Sequence, residues 1–279
     1  METNVRKHEI LVNSGGPHRI VRGRHGDFIF NHNDIYIGRS LEKYGEFSEA
    51  EVDLFKQLCR PGDLVVEVGA NIGTNTIPIA NCVGPTGRVL AFEPQALAFH
   101  MLCGNVALNN LTNVHCHPLA VGREEAEIFV PEFRTDLEVN LGGLSLENAS
   151  SGRRVRQIKL DSLLELPRMR LLKIDVEGME SDVLVGCSDH ISRLRPVIYV
   201  ENDRVDRSEK LIEQIMALDY DLFWHLPPLY NPNNFAGDAE NVFPNLISVN
   251  MLCTPKRSNA QINGLKKVTS AAEHPFKRG

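Results

Sequence analysis

Leu64-Val65-Val66-Glu67-Val68-Gly69-Ala70-Asn71-Ile72-Gly73-Thr74 is the stretch on which the reading of this chain turns. Branched apolar residues give a short buried strand that ends on a carboxylate, Glu67. Gly69 and Gly73 follow, and a helical pattern begins near Thr74. A strand, a glycine turn and a helix N-terminus make a cradle for a nucleotide-like ligand, because glycine lets the backbone come close to it. The spacing is not G-x-G-x-x-G, and an acid precedes the turn. That carboxylate would repel a diphosphate and attract a cation such as the amino group of S-adenosylmethionine. The cradle therefore favours a methyl donor over a nicotinamide dinucleotide.

Two further runs end the same way. Arg88-Val89-Leu90-Ala91-Phe92-Glu93-Pro94 reads as the next strand, and Glu93 lies 20 residues after Gly73. An acid at that interval typically hydrogen-bonds ribose hydroxyls. Pro94 cannot extend a ladder, so the strand stops there. Leu171-Leu172-Lys173-Ile174-Asp175-Val176-Glu177-Gly178-Met179-Glu180 is another strand that ends in acids at a strand-to-helix junction.

Taken together, Glu67-Val-Gly-Ala-Asn-Ile-Gly73, Ala91-Phe-Glu-Pro94 and Leu172-Lys-Ile-Asp-Val-Glu-Gly178 resemble the ordered signature runs of the FkbM family of S-adenosylmethionine-dependent methyltransferases. Asn105, Leu108-Asn109 and Asn113-Val114 fit the family's helix and following strand, and Tyr44-Gly45-Glu46 is similar to a segment many members carry. The resemblance covers roughly residues 35–202. Glu67 stands where many members have Asp, which keeps the charge, and Gln95 also departs from the common pattern. The resemblance implies an α/β, Rossmann-like class I methyltransferase fold. Its mostly parallel sheet would have seven strands in the order 3-2-1-4-5-7-6, the seventh antiparallel, with helices on both faces. It also implies S-adenosyl-L-methionine as cofactor, S-adenosyl-L-homocysteine as product, and O-methylation of a sugar or natural-product hydroxyl.

Length and composition are compatible with one sizeable core, since 42% of the 279 residues are hydrophobic. Formal net charge is -6 with a pI of about 5.9 and no basic tract, so general affinity for nucleic acid or an anionic membrane is not expected. Met1–Ile10 lacks an apolar signal core, and no apolar run is long enough to span a bilayer. The six cysteines (Cys59, Cys82, Cys103, Cys116, Cys187 and Cys253) are scattered without C-x-x-C spacing and read as small hydrophobes in a reducing, cytoplasmic setting.

Residues 1–47 read as a β-rich cap segment with turns at Ser14–Pro17, Gly26-Asp27 and Asn31–Asp34. Ser48-Glu-Ala-Glu51 has the capping-box pattern and starts a helix that stops before Pro61-Gly62. Residues 48–257 read as the methyltransferase domain. Strands are expected at 64–68, 88–93, 113–119, 170–175, 196–201, 220–225 and 246–253, with helices at 74–82, 96–109, 178–187 and 207–218. Residues 122–160 break this rhythm with two strand-like runs around a Gly-, Asn- and Ser-rich loop, and residues 258–279 read as a disordered tail.

Ligands in open α/β sheets bind at the carboxyl ends of the parallel strands, where Glu67, Glu93, Ala120, Asp175 and Glu201 fall. The candidate cofactor set is Glu67, Gly69, Asn71, Gly73, Thr74, Glu93, Pro94, Gln95, Ala120 and Asp175. Asp175 and Glu177 could equally cap a first helical turn, but their strand-end position makes them candidates for removing the acceptor's proton. His225, at the end of another strand, is the rival base. Tyr44, Glu46, Trp224, Tyr230 and Phe235 are the candidate acceptor contacts, and the 227–245 loop is expected to border the acceptor site. His115 and His117 share a strand face, but a lone pair without nearby acids is ordinarily structural, so no metal is assigned.

The function expected is direct methyl transfer to a hydroxyl of a small molecule, a sugar or a peptide-borne group. N-methylation of an amide or amine is the alternative within the enzyme class. A nucleotide-binding module without chemistry is the alternative outside it, and a Rossmann dehydrogenase is disfavoured by Glu67 and the glycine spacing. Acceptor identity and oligomeric state stay open, a homo-oligomer included.

Overall fold

In the computed structural model, residues 7–13, 15–143, 149–163, 165–258 and 261–277 are described. Met1–Arg6, Ser14 of the first expected turn, and residues 144–148 of the Gly-, Asn- and Ser-rich loop lie outside them. Strands β1 (Glu9–Asn13), β2 (His18–Arg22) and β3 (Asp27–Asn31) form an antiparallel meander. Helices α1 (Ile37–Tyr44) and α2 (Glu49–Leu58) follow. Alternation then sets in with β4 (Leu64–Val68), α3 (Thr76–Val83), β5 (Arg88–Phe92), α4 (Ala96–Leu108) and β6 (Val114–His117).

The rhythm breaks where the sequence predicts. Strands β7 (Ala120–Val121), β8 (Ala126–Val130) and β9 (Arg153–Ile158) make a separate small sheet in the order β7-β9-β8. After α5 (Leu160–Leu163) the alternation returns with β10 (Leu171–Ile174), α6 (Glu180–Gly186), α7 (Ser188–Leu194), β11 (Val197–Glu201), α8 (Val205–Ala217) and β12 (Tyr220–His225). Strands β13 (Asn250–Pro255) and β14 (Lys266–Lys267) end the chain's regular structure.

The large sheet runs β14-β12-β13-β11-β10-β4-β5-β6. Strands β4, β5, β6, β10 and β11 pair in parallel, and β13 is antiparallel to both β11 and β12. Counted from β4 and without β14, the order is 3-2-1-4-5-7-6 with the seventh strand reversed, as the resemblance implied. Strands β4 and β10 are buried along their whole length, as central strands covered on both faces must be. Leu64, Val66, Val68, Leu172 and Ile174 face α5 to α8, whereas Val65 and Leu171 face α2 and α3.

The meander is fastened to α4 by two asparagines. Asn109 accepts from Asp27 N at 2.9 Å and donates to Asp27 O at 2.8 Å. Asn105 accepts from Ile29 N at 2.5 Å and donates to Ile29 O at 3.1 Å and to Ile72 O at 2.7 Å. These amides take the place of a neighbouring strand at the edge of β3 and satisfy backbone groups that packing would otherwise orphan.

Two expectations need correcting. Residues read as a disordered tail contribute β14, which pairs with β12, and bury Val268 and His274. That segment is polar because only isolated side chains insert, so it shows no periodicity. The capping box is also not made. Ser48 has a left-handed φ of 47°, and its hydroxyl donates to the Glu51 carboxylate at 2.7 Å instead of capping the helix backbone.

Candidate active site

The carboxyl ends of β4, β5, β10 and β11 open into a cavity of about 500 Å³. Its lining joins the β4 turn (Gly69, Ala70, Asn71, Thr74, Asn75), the β5 end (Glu93, Pro94, Gln95), and the β10 end (Asp175, Val176, Glu177). Glu201 and Asp203 enter from β11, Asn140–Gly143 from the loop between β8 and β9, and Leu246–Asn250 from the approach to β13. Tyr36, Phe47, Leu229 and Phe276 supply apolar surface.

The turn is held from two sides. Gly69 adopts φ +82°, and a Cβ there would lie 1.7 Å from the Asp175 carbonyl oxygen. Glycine is thus required for β4 and β10 to approach each other, more than for a ligand to approach the turn. Asn71 (φ 49°) donates its N–H to Glu93 Oε2 at 2.8 Å, and Gln95 N donates to Glu93 Oε1 at 2.8 Å. Glu93 therefore closes the turn against β5, and burial raises its pKa to about 7 despite those two N–H groups. Gln95 caps α4, its side chain accepting from Ala98 N at 2.6 Å.

Beneath the turn lies a buried charge pair. Lys173 Nζ is 3.1 Å from Asp175 Oδ2 and 3.6 Å from Glu67 Oε1. The Lys173 side chain is 3% exposed and that of Asp175 is 39% exposed, so the lysine forms the floor and the aspartate meets the open space. Burial opposes the ammonium charge, but Asp175, Glu67 and Glu51 outweigh it and raise the Lys173 pKa. Glu67 is fully buried and takes a hydrogen bond from Thr76 Oγ1 at 2.6 Å, while its Oε1 has no hydrogen-bond donor. Burial pushes Glu51 up to about 7, against the pull of Lys173 and Ser48.

Among the described residues, seven acids (Glu51, Glu67, Glu93, Asp175, Glu177, Glu201 and Asp203) line the cavity against one cation, Lys173. Burial, with Asp175 and Asp203 adding repulsion, lifts Glu177 to about 8 although Arg204 donates to it at 3.1 Å. Burial and the same neighbouring acids hold Glu201 well above the carboxylate range. Such a cavity favours positive ligands.

Most of the expected cofactor residues come together here: Glu67, Gly69, Asn71, Thr74, Glu93, Pro94, Gln95 and Asp175 all line the cavity, as does Glu177. Gly73 and Ala120 do not. Gly73 lies in the turn before α3 and packs where a Cβ would meet Leu102 at 2.8 Å, and Ala120 is buried in β7 beside Gln157.

His225 is also absent from the lining. Its Nδ1 lies 2.8 Å from the Tyr199 hydroxyl, and burial lowers its pKa. Trp224, the preceding residue in the strand, turns to the opposite face and is buried in the core against His274.

The remaining acceptor candidates have structural partners. Tyr44 OH donates to Glu240 O at 2.8 Å and accepts from Val242 N at 2.9 Å. Glu46 accepts from Arg24, from Asn231 at 2.8 Å and from Phe235 N at 2.7 Å. Both residues clasp the 227–245 loop to α1. Tyr230 OH lies 3.1 Å from Ala239 O within that loop, and Phe235 packs under Arg24. The loop does border the cavity, but through Leu229 and the segment that follows it, Leu246–Asn250.

Glu51, Lys173 and Asp203 carry no site pattern in the sequence, and Glu201 shows only its strand-end position. The signal for Lys173 is a lysine inside the apolar run Leu171–Ile174. The capping-box pattern Ser48–Glu51 accounts for Glu51 without a role in a site.

The profile of the FkbM methyltransferase domain matches residues 67–222. Methyltransferase 1 of Beauveria bassiana is 31% identical over an alignment 147 residues long that covers 45% of this chain and 58% of that protein. AMB antimetabolite synthetase AmbE of Pseudomonas aeruginosa is 26% identical over an alignment 185 residues long that covers 52% of this chain and 9% of that protein. The chain thus spans little more than half of one relative and under a tenth of the other. A crystal structure of methyltransferase FkbM from Methylobacillus flagellatus superposes with a TM-score of 0.47 at 16% identity, over 73% of this chain and 50% of that one. With more than half of its length matched, from the β4 acid to β12, the chain belongs to the FkbM methyltransferase domain family.

Proposed function

We propose that the chain uses S-adenosyl-L-methionine to methylate a hydroxyl of a small acceptor of the sugar or natural-product kind. The observation that carries this reading is the shared cavity, in which the β4 turn and Glu93 stand beside Asp175 and Glu177. A volume of about 500 Å³ is in the range that holds a cofactor-sized ligand. Sulfonium and ammonium groups make the donor a net cation, which suits a lining rich in carboxylates. Each Glu93 oxygen spends one lone pair on a backbone N–H, and the lone pair left on each is available to the ribose hydroxyls. Glu67 Oε1 is taken up by Lys173 at 3.6 Å, so Glu67 acts on the ammonium group only through its charge beneath the turn.

When bound, the donor would supply its methyl carbon to the acceptor oxygen, the electron pair of the broken carbon–sulfur bond staying on sulfur. The acceptor's proton would pass to Asp175, whose side chain is open to the cavity and fixed by Lys173. Alignment of the three reacting atoms supplies about 7–11 kcal/mol of such a barrier, and a positioned base a further factor of about 10²–10⁴.

Thermal shift and calorimetry with S-adenosylhomocysteine, followed by methyl-transfer assays over hydroxyl and amine acceptors, test the reading. Glu93→Gln should weaken S-adenosylhomocysteine binding about tenfold, the loss of a charge-assisted hydrogen bond. Asp175→Asn should lower kcat for a hydroxyl acceptor about 10²–10⁴-fold with cofactor affinity retained. Unchanged values in folded variants would sink the respective assignments. Cofactor binding with no turnover on any acceptor would favour a binding module.

The excess of carboxylates also suits an acceptor that is itself a cation, so N-methylation of an amine is the second reading. Turnover of amines that survives Asp175→Asn would establish it.

A further inference from the structure

The segment after β13 crosses the edge of the large sheet and returns to the cavity. β14 pairs with β12, Val268 N donates to Leu222 O at 2.8 Å, and the Val268 side chain enters the core. A turn closed by Glu273 N on Ser270 O at 3.2 Å then sends the chain back toward the end of β11. His274 anchors it there. This residue is buried, its ring meets Trp224 edge-on at 5.6 Å, and its Nε2 lies 3.0 Å from Asn202 O. Phe276 N donates to His274 Nδ1 at 3.1 Å, so Nδ1 is the accepting nitrogen and Nε2 is the one that donates to Asn202.

Asn202 stands between Glu201 and Asp203, and both of those line the cavity. Two residues past the anchor, Phe276 joins the same lining. Its backbone is pinned by His274 and its ring lies 5.7 Å from the His274 ring, yet the residue is 52% exposed. The ring is thus fixed in place with apolar surface left uncovered, and a ligand that covers that surface gains by it.

The strand order decides which ligand that is. The β4 turn and Glu93, assigned above to the donor, lie at the ends of β4 and β5, whereas His274 grips the end of β11. In the order β11-β10-β4-β5 that is three strand spacings from β5, about 14 Å. The family profile stops at residue 222, so this wall comes from outside the matched domain.

We propose that Phe276 is a specificity residue for the acceptor: its ring is the platform on which a flat, ring-shaped acceptor stacks, and His274 is the positioning residue that holds it at the β11 end. The assignment to the acceptor rests on the donor site proposed above. An acceptor with a flat apolar face would bind better than an open-chain one with the same reacting group.

Saturation-transfer NMR on the full chain loaded with S-adenosylhomocysteine tests this, with benzyl alcohol and benzylamine as ring probes and n-butanol as the open-chain control. At least one ring probe should bind more tightly than n-butanol. Phe276→Ala should weaken that probe about tenfold and Phe276→Trp should restore it, with S-adenosylhomocysteine affinity by calorimetry unchanged in both. Emission from Trp224, the chain's single tryptophan, separates platform from anchor. His274→Ala should weaken the probe and shift the emission, whereas Phe276→Ala should weaken the probe alone. No preference for a ring, or a preference that survives Phe276→Ala, overturns the proposal, as does a parallel fall in S-adenosylhomocysteine affinity. A wild-type chain that does not bind S-adenosylhomocysteine would overturn the donor site and this proposal with it. Ring binding that depends on Phe276, with methyl transfer to benzylamine and none to benzyl alcohol, would support the platform and refute the hydroxyl reading.

Discussion

Gly69→Ala is the substitution whose cost the structure defines most closely. Gly69 sits at φ +82°, in the left-handed region, and its added Cβ would fall 1.7 Å from Asp175 O and 2.8 Å from Asp175 C. Gly84 is the control, because it has φ +64° and nothing within 4 Å of the position its Cβ would occupy. Gly84→Ala should lose only the backbone term, about 1–3 kcal/mol at its φ of 64° and ψ of -176°. Gly69→Ala carries that term and the overlap, which no rotamer can relieve, so about a further 1–3 kcal/mol is expected. Urea denaturation of both variants reads the difference directly from the midpoints if the slopes match. The clash is with the backbone that carries Asp175, so relaxation must push the β10 end away from the turn. Gly69→Ala should therefore also lower S-adenosylhomocysteine affinity, which Gly84→Ala should not. Equal midpoints for the two variants, or a displaced midpoint with intact cofactor binding, would refute the view that Gly69 serves the close approach of the two strand ends.

Two further outcomes follow from buried charge. Burial raises the fully buried Asp34 carboxyl from 3.8 to about 6, so the folded chain holds its proton more tightly than the unfolded chain. Its contribution to stability is full below about pH 4 and is lost as the pH rises through 6; about two units correspond to about 3 kcal/mol. Asp34→Asn should remove that part of the slope, and parallel denaturation curves for wild type and variant from pH 4 to 7 would exclude it. Lys173→Met leaves Glu67 buried without its cation and should cost about 3–5 kcal/mol in unfolding experiments, part of it recovered by adding Glu67→Gln. Strict additivity of the two substitutions would show that the pair is not coupled.

The parts of the fold that were legible are those written in local pattern. Leu64–Val68 and Leu171–Ile174 are apolar runs of strand length, and both are central strands buried on both faces. The strand-end acids Glu93 and Asp175 were legible because a parallel sheet sends its carboxyl ends to one side. What was not legible depends on long-range pairing. Tyr44 and Glu46 look like isolated polar residues before a helix, yet their partners are Glu240, Val242, Asn231 and Phe235, almost two hundred positions away. The strand expected at 220–225 has those bounds, but the sequence expectation puts both Trp224 and His225 at the site. Strand alternation forbids that, since neighbours point to opposite faces, and in fact neither lines the cavity. Which face looked where depended on the register with β13, and a single strand does not encode its register.

Register also accounts for the charge at the centre of the site. Glu67 and Lys173 each interrupt an apolar strand, and taken singly each looks like a defect. Pairing places Ala91, Glu67, Lys173, Tyr199 and Leu252 side by side across five strands, on the face that packs against α2 and α3. In that row the acid and the base are direct neighbours, so each solves the burial problem of the other. Glu51 reaches the same spot from α2 because Ser48 holds its carboxylate in place of a helix cap. Two residues further along β10's path, Asp175 passes out of the row to the open end of the sheet and stays tied to Lys173. The lysine thus connects the interior of the sheet to the cavity. A cation fixed in the floor lets several carboxylates crowd above it, and the acids it does not neutralise give the cavity its preference for positive ligands.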